Sequence, residues 1–139
     1  MKTPAQIAEE VAMIGPRIGR KILADLSRVA DITPAQMCVV MCLLHNGPCR
    51  SSDIVKELKV AAPTATGIVD RLATAGYVSR SEDKEDRRVV VVELTAEGKK
   101  LAHKLRAVVI ERWTEILSKI PREDAEKYLE ILKKINEAL

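Results

Sequence analysis

Residues 64–95 read TATGIVDRLATAGYVSRSEDKEDRRVVVVELT, and the order of textures in that stretch decides the fold. A Thr-rich segment with apolar residues at Ala65, Ile68, Val69 and Leu72 has helical spacing and stops at Gly76. Tyr77-Val78-Ser79-Arg80 and Arg88-Val89-Val90-Val91-Val92-Glu93-Leu94 are then two runs suited to strand pairing. Between them, Ser81 to Arg87 is almost entirely charged or small and polar, as a solvated hairpin tip should be. A hairpin with arginines at its tip, following a pair of helices, has the outline of a wing shaped to enter a DNA groove.

Working upstream, Ser51-Ser52 is expected to cap a short helix from Asp53 to Leu58, with the acid well placed in the first turn. Lys59-Val60-Ala61-Ala62 makes a tight turn, and a helix from Pro63 to Ala75 follows. Short helix, tight turn and second helix make a helix-turn-helix. With Ala65, Ile68, Val69 and Leu72 turned inward, Pro63, Thr64, Thr66, Gly67, Asp70 and Arg71 fall on or near the outer face. Earlier still, Thr33 caps a helix that has Pro34 in its first turn and runs to Asn46. That helix is apolar nearly all round and is expected to be the most buried, ending at Gly47-Pro48. The first segment carries Ile7, Val11, Ile14, Ile18, Ile22, Leu26 and Val29 at steps of three and four, one stripe along a helix. Gly15-Pro16 is expected to kink or break it.

Downstream, Thr95 caps a long helix from Ala96 to about Ile120, and Pro121 begins a last one. The last helix lines up Ala125, Leu129, Leu132, Ile135 and Leu139, with no second sheet to cover them. Packing against Ile7–Val29, within the chain or across a two-fold axis, would bury these stripes.

The 139 residues suit one domain, and 47% hydrophobic with 31% charged residues is a globular composition. No apolar run reaches the roughly 18–20 residues of a membrane span, and Met1-Lys2-Thr3-Pro4 opens no signal peptide, so a cytoplasmic location is expected. A net charge of +3 is mild for a nucleic-acid domain. Glu82, Asp83, Glu85 and Asp86 share the hairpin tip with Lys84, Arg87 and Arg88, which points to a few positioned contacts rather than a broad basic patch.

In this order and spacing, five fragments resemble the MarR (multiple-antibiotic-resistance regulator) family of winged-helix transcription factors. They are Ile32-Thr33-Pro34-Ala35-Gln36, Val69-Asp70-Arg71-Leu72, Ala75-Gly76-Tyr77-Val78-Ser79-Arg80, Asp86-Arg87-Arg88 and Val92-Glu93-Leu94-Thr95-Ala96-Glu97-Gly98. The resemblance covers roughly Pro16 to Leu139. It implies a mainly α fold with a small β-hairpin wing, a winged helix-turn-helix carrying N- and C-terminal dimerisation helices. Residues 1–31 would be an N-terminal arm and dimerisation helix, 32–95 the DNA-binding region and 96–139 the C-terminal dimerisation helices, all in one structural domain. It further implies a homodimer on a pseudo-palindromic double-stranded operator, probed by the fourth helix in a major groove and by the wing in the adjacent minor groove. A repressor answering a small-molecule effector, with no cofactor and no membrane, is the expected function. Relatives often carry a larger polar or basic residue near Gly67. Base readout here is therefore expected to rest on Thr64, Thr66 and backbone approach at Gly67. Aromatic residues are only 2% of the chain, which argues against an aromatic-lined effector pocket.

Arg88 is the first candidate for groove contact, because a guanidinium is weakly hydrated and offers several donors to a narrow, negative groove. Arg87 and Lys84 suit phosphates, and Asp86 suits holding the loop or a neighbouring arginine in place. Thr64 and Thr66 offer hydroxyls and methyls to base edges, although threonines near a helix start also satisfy free amides. Pro63 stiffens the helix entry. Arg71 points toward phosphate, with Asp70 as its expected partner. Ser51 or Ser52 could present a hydroxyl and an amide to phosphate, or simply cap.

Cys38 and Cys42 lie one turn apart on the apolar helix and are expected to pack in the core, whereas Cys49, in a loop, is the better candidate for a redox-active thiol. Cys42, His45 and Cys49 match no recognised metal-ligand spacing, so no metal is expected. Nothing resembles a phosphate loop, a dinucleotide motif or a nucleophile–base pair, and an enzyme is not expected. The rival readings are a cysteine-based redox-sensing regulator and a winged-helix module that docks protein.

Overall fold

The computed structural model describes all 139 residues. In chain order the elements are α1 (Pro4–Leu26), α2 (Pro34–Asn46), β1 (Cys49–Arg50), α3 (Ser51–Leu58), α4 (Ala62–Thr74), β2 (Val78–Glu82), β3 (Val90–Leu94), α5 (Ala96–Leu117) and α6 (Arg122–Ala138). The fold is mainly helical with a small antiparallel sheet ordered β1-β3-β2. None of its helices is long and apolar enough to cross a membrane.

Local chemistry accounts for most of the boundaries. Thr3 with Gln6, and Thr33 with Gln36, form reciprocal capping boxes at the starts of α1 and α2. Thr95 caps α5, its Oγ1 accepting from Gly98 N–H at 3.1 Å. The same hydroxyl donates to the Gly76 carbonyl at 2.5 Å, and Thr95 N–H donates to the Tyr77 carbonyl at 3.0 Å. The end of α4 and the start of α5 are thus stitched together across the hairpin. Gly76, at φ 84°, reverses the chain so that Tyr77 N–H reaches back to the Leu72 carbonyl at 2.9 Å.

The core is one cluster in which Val39, Val40 and Leu43 of α2 meet Ile54, Ile68, Val69, Leu72, Val78, Val92 and Leu105. Leu72, Val40 and Val92 are wholly buried. Burying side chains of this size contributes roughly 1.5–3 kcal/mol each. This cluster fixes how α4 and the hairpin sit on α2 and α5.

Several expectations are corrected. The α1 helix runs unbroken through Pro16. Proline in a helix interior forfeits one backbone hydrogen bond and crowds the preceding turn, and Gly15, with no Cβ, removes one further clash with the ring. The α2 helix is the most buried, as its composition suggests, but it leaves one face open. Cys38 is exposed and Cys42 half-buried, so Cys38 is not a core residue. Ser51 and Ser52 do not cap α3 but are its first two residues, with Arg50 in the N-cap position. The Asp53 carboxylate accepts the Arg50 N–H at 3.2 Å, which starts the helix earlier than the serines suggest. The α5 helix stops at Leu117, and Pro121 caps α6 from outside it.

The terminal helices carry the exposed apolar residues. Ile7, Val11, Met13 and Ile14 on α1, and Leu129, Ile131, Leu132 and Ile135 on α6, all face solvent in the single subunit. The α1 helix is tied to α5 by Arg112, which bonds the Asp25 carboxylate at 2.5 and 2.6 Å. The α6 helix meets the end of α5. Trp113 and Tyr128 stack there with ring centroids 5.8 Å apart, at the head of an apolar cleft of about 410 Å³ between the two helices.

Candidate nucleic-acid interface

Two elements present the candidate residues, and the core holds both. Ala65, Ile68, Val69 and Leu72 anchor α4, leaving Pro63, Thr64, Thr66 and Arg71 exposed. Pro63 occupies the first turn of α4. Gly67 is half-buried, and a Cβ there would meet nothing within 4 Å. The missing side chain therefore leaves a smooth, open patch between the two threonines and Arg71. Thr66 Oγ1 donates to the Ala62 carbonyl at 3.0 Å, which leaves the hydroxyl oxygen able to accept. Neither threonine caps the helix, since Ala61 holds the N-cap without a side-chain bond.

The hairpin is better braced than its sequence suggests, and its strands are shifted: Ser81 and Glu82 join the first strand, whereas Arg88 and Val89 belong to the tip and not to the second strand. The strands pair from Val78↔Leu94 to Glu82↔Val90, leaving Asp83 to Val89 as the tip. A third strand, unforeseen, pairs Cys49 with Val92 and Arg50 with Val91 on the far side of β3. Within the tip, Asp83 N–H donates to the Val89 carbonyl at 2.9 Å and Val89 N–H to the Asp86 carbonyl at 3.0 Å.

Asp86 grips Arg88 three ways. Its Oδ1 accepts from the Arg88 N–H at 3.1 Å and from Nε at 3.2 Å, and its Oδ2 accepts from Nη2 at 3.3 Å. These side-chain and backbone bonds from Arg88 hold the Asp86 carboxyl below the usual carboxylate range, with Arg50 assisting. Arg88 remains 89% exposed, so the grip orients the guanidinium without covering it. Arg71, Lys84 and Arg87 are exposed and form no ion pair.

Asp70 does not pair with Arg71. It pairs with Arg80 on β2, leaving Arg71 free on the α4 surface. Arg80 and Arg50 are the residues that sequence reasoning passed over. Both precede or lie within strands, where an arginine reads as an ordinary edge residue. Ser51 and Thr66 meet Arg80 along a cleft of about 240 Å³ between α3, α4 and the hairpin, whereas Ser52 lies apart and exposed.

The cysteines do not form a metal centre, and His45 does not join Cys42 and Cys49 in one. Burial raises the Cys49 thiol above its ordinary range, followed by neighbouring Cys42 and the carboxylates of Asp53 and Glu57. A thiol held neutral in this way is a poor nucleophile at neutral pH.

The MarR family model matches residues 32–90, the span from the cap of α2 to the start of β3. FarR, a helix-turn-helix transcriptional regulator of Neisseria gonorrhoeae, is 34% identical over 113 residues, which cover 79% of this chain and 77% of that protein. The chain belongs to the MarR family. It is a DNA-binding transcriptional regulator built on a winged helix-turn-helix. YfiV, an uncharacterized regulator of Bacillus subtilis, is 36% identical over 107 residues, 75% of this chain and 67% of its own. Among solved structures, NadR in complex with 4-hydroxyphenylacetate superimposes with a TM-score of 0.76 at 27% identity, over 97% of this chain and 95% of that one. MarR family regulators bind DNA, typically as dimers.

Proposed function

We propose that this MarR family chain acts as a homodimer on a pseudo-palindromic operator, represses by occupying it, and is released by a small-molecule effector. The observation that carries the reading is the joint placement of α4 and the wing tip. Exposed Thr64, Thr66 and Arg71 on the helix lie on the same module as an Arg88 whose guanidinium Asp86 has already oriented. In this reading α4 enters a major groove, where the threonines meet base edges and the open patch at Gly67 admits close backbone approach. Ser51, Ser52, Arg71, Lys84 and Arg87 meet phosphates, and Arg88 enters the adjacent minor groove. Pre-orientation by Asp86 lowers the ordering cost of that last contact.

A dimer would set the two α4 helices about one turn of duplex apart, roughly 34–36 Å. The apolar faces of α1 and α6 supply the surface for the pairing. An effector that favours another spacing would then lower operator affinity without touching DNA. NadR, bound to 4-hydroxyphenylacetate, supports a ligand-responsive fold of this shape.

The test is fluorescence anisotropy on a duplex recovered by selection from a random pool. Arg88→Ala is expected to weaken binding by about 1–3 kcal/mol at fixed salt. An unchanged affinity removes the wing from the mechanism.

A further inference from the structure

Arg50 is placed unlike any other cation of the chain. It is at once the second residue of β1, paired with Val91, and the N-cap of α3, so its backbone belongs to both the sheet and the helix-turn-helix. Its guanidinium leaves that junction and meets the carboxylate of Asp83, the first residue of the wing tip, at 3.3 Å. Asp83 is the less exposed partner, with 15% of its side chain accessible against 54% for Arg50. The other Asp83 oxygen accepts the Glu85 N–H at 2.9 Å, so the same carboxylate that receives Arg50 also shapes the turn. Arg88 is reached from there through the Asp83–Val89 and Val89–Asp86 backbone bonds.

We propose that Arg50 is a positioning residue for DNA binding, a latch that clamps the wing tip to the start of α3 through Asp83 and so fixes where Arg88 points. The inference rests on the wing reading above and adds a residue to it that contacts no base. Without the latch, the tip hangs from the β2–β3 ladder alone, which ends at Glu82 and Val90. The tip then samples more orientations, and binding must restrict them. The rival role for a half-exposed arginine beside a helix N-terminus is a direct phosphate contact. The two roles differ in sign at Asp83. On charge alone, Asp83→Asn removes a repulsive acid from a DNA-facing loop and frees Arg50, which strengthens binding. A latch predicts weaker binding. The asparagine oxygen still accepts the Glu85 N–H, so the turn itself survives.

The experiment measures affinity for a fluorescein-labelled duplex recovered by selection from a random pool. It uses Arg50→Ala, Asp83→Asn, the double variant, and each single change in an Arg88→Ala background. Thermal unfolding by circular dichroism checks that every variant is folded. Each single change is expected to weaken binding roughly threefold, as for a partly exposed ion pair, with the double variant no weaker than either. In the Arg88→Ala background both effects should vanish. Tighter or unchanged binding by Asp83→Asn, or a loss with Arg50→Ala that persists in the Arg88→Ala background, overturns the latch while leaving the wing reading intact. An Arg88→Ala protein that binds like the parent removes the wing reading, and the latch with it.

Discussion

Arg80 on β2 forms an ion pair with Asp70 on α4, joining the strand of the hairpin to the helix proposed to read the duplex. Elsewhere the two elements are joined by the core beneath them and, at the turn, by the Tyr77–Leu72 backbone bond. Both side chains are largely accessible, 42% and 50%, so water screens the pair. A double-mutant cycle of Asp70→Ala and Arg80→Ala should give a coupling of about 0.2–1 kcal/mol in urea unfolding, shrinking as salt rises. A salt-independent coupling well above that range would mean that the pair is shielded from solvent.

Gly98 packs where no side chain fits. A Cβ built there would lie 1.9 Å from the Tyr77 carbonyl oxygen, in the seam that Thr95 closes between α5 and the start of the hairpin. Gly98→Ala should therefore destabilise the fold by about 1–3 kcal/mol despite alanine's better helix propensity. Thermal and urea unfolding read this directly, and a neutral or stabilising result would show that α5 can shift away freely.

Leu129 and Leu132 on α6 are 52% and 39% exposed in the single subunit. If a second copy covers them, Leu132→Glu places a carboxylate in an apolar seam, costing about 2 kcal/mol or more and raising the dimer Kd over tenfold. Sedimentation equilibrium should show monomers at concentrations where the parent is dimeric. Operator affinity should fall with it, because one subunit engages only half a site. An unchanged dimer would move the interface off α6.

Cys49 and Cys38 should separate by reactivity. Burial and neighbouring negative groups raise the Cys49 thiol, whereas Cys38 is exposed on α2. Iodoacetamide should modify Cys38 faster at neutral pH, with the Cys49 rate still climbing at pH above the ordinary thiol range. For a group raised on folding, the linked stability is present below the unfolded pKa and declines as pH rises through the folded one. Alkaline conditions should thus weaken the fold around β1. Faster modification of Cys49 at neutral pH would restore it as a candidate redox sensor.

The helical framework was readable because its signals are local. Thr33-Pro34, Thr95 and the period of Ala65, Ile68, Val69 and Leu72 each mark a boundary or a face without help from distant residues. What escaped was set by long-range partners. Two residues, Cys49 and Arg50, are too short a run to read as a strand, and only the exposed edge of β3 makes them one. Asp70 sits next to Arg71 in sequence, yet neighbours on a helix diverge by about 100°. The guanidinium within reach comes instead from β2. Cys38 looked buried because its neighbours are apolar, but a helix packed on one side leaves a face outside whatever its composition. Pro16 reads as a break because proline lacks a backbone donor and crowds the preceding turn, yet the remaining hydrogen bonds of a 23-residue helix carry α1 through it.

The middle position of β3 has an evolutionary consequence. Strand β3 is gripped by β1 at Val91 and Val92 and by β2 along its whole length, so its register does not depend on the tip. Residues can be inserted or deleted beyond Glu82 and Val90 without sliding one strand past another. The reach of the finger is therefore free to vary between lineages while its root, and the hydrophobic interior beneath it, stays the same.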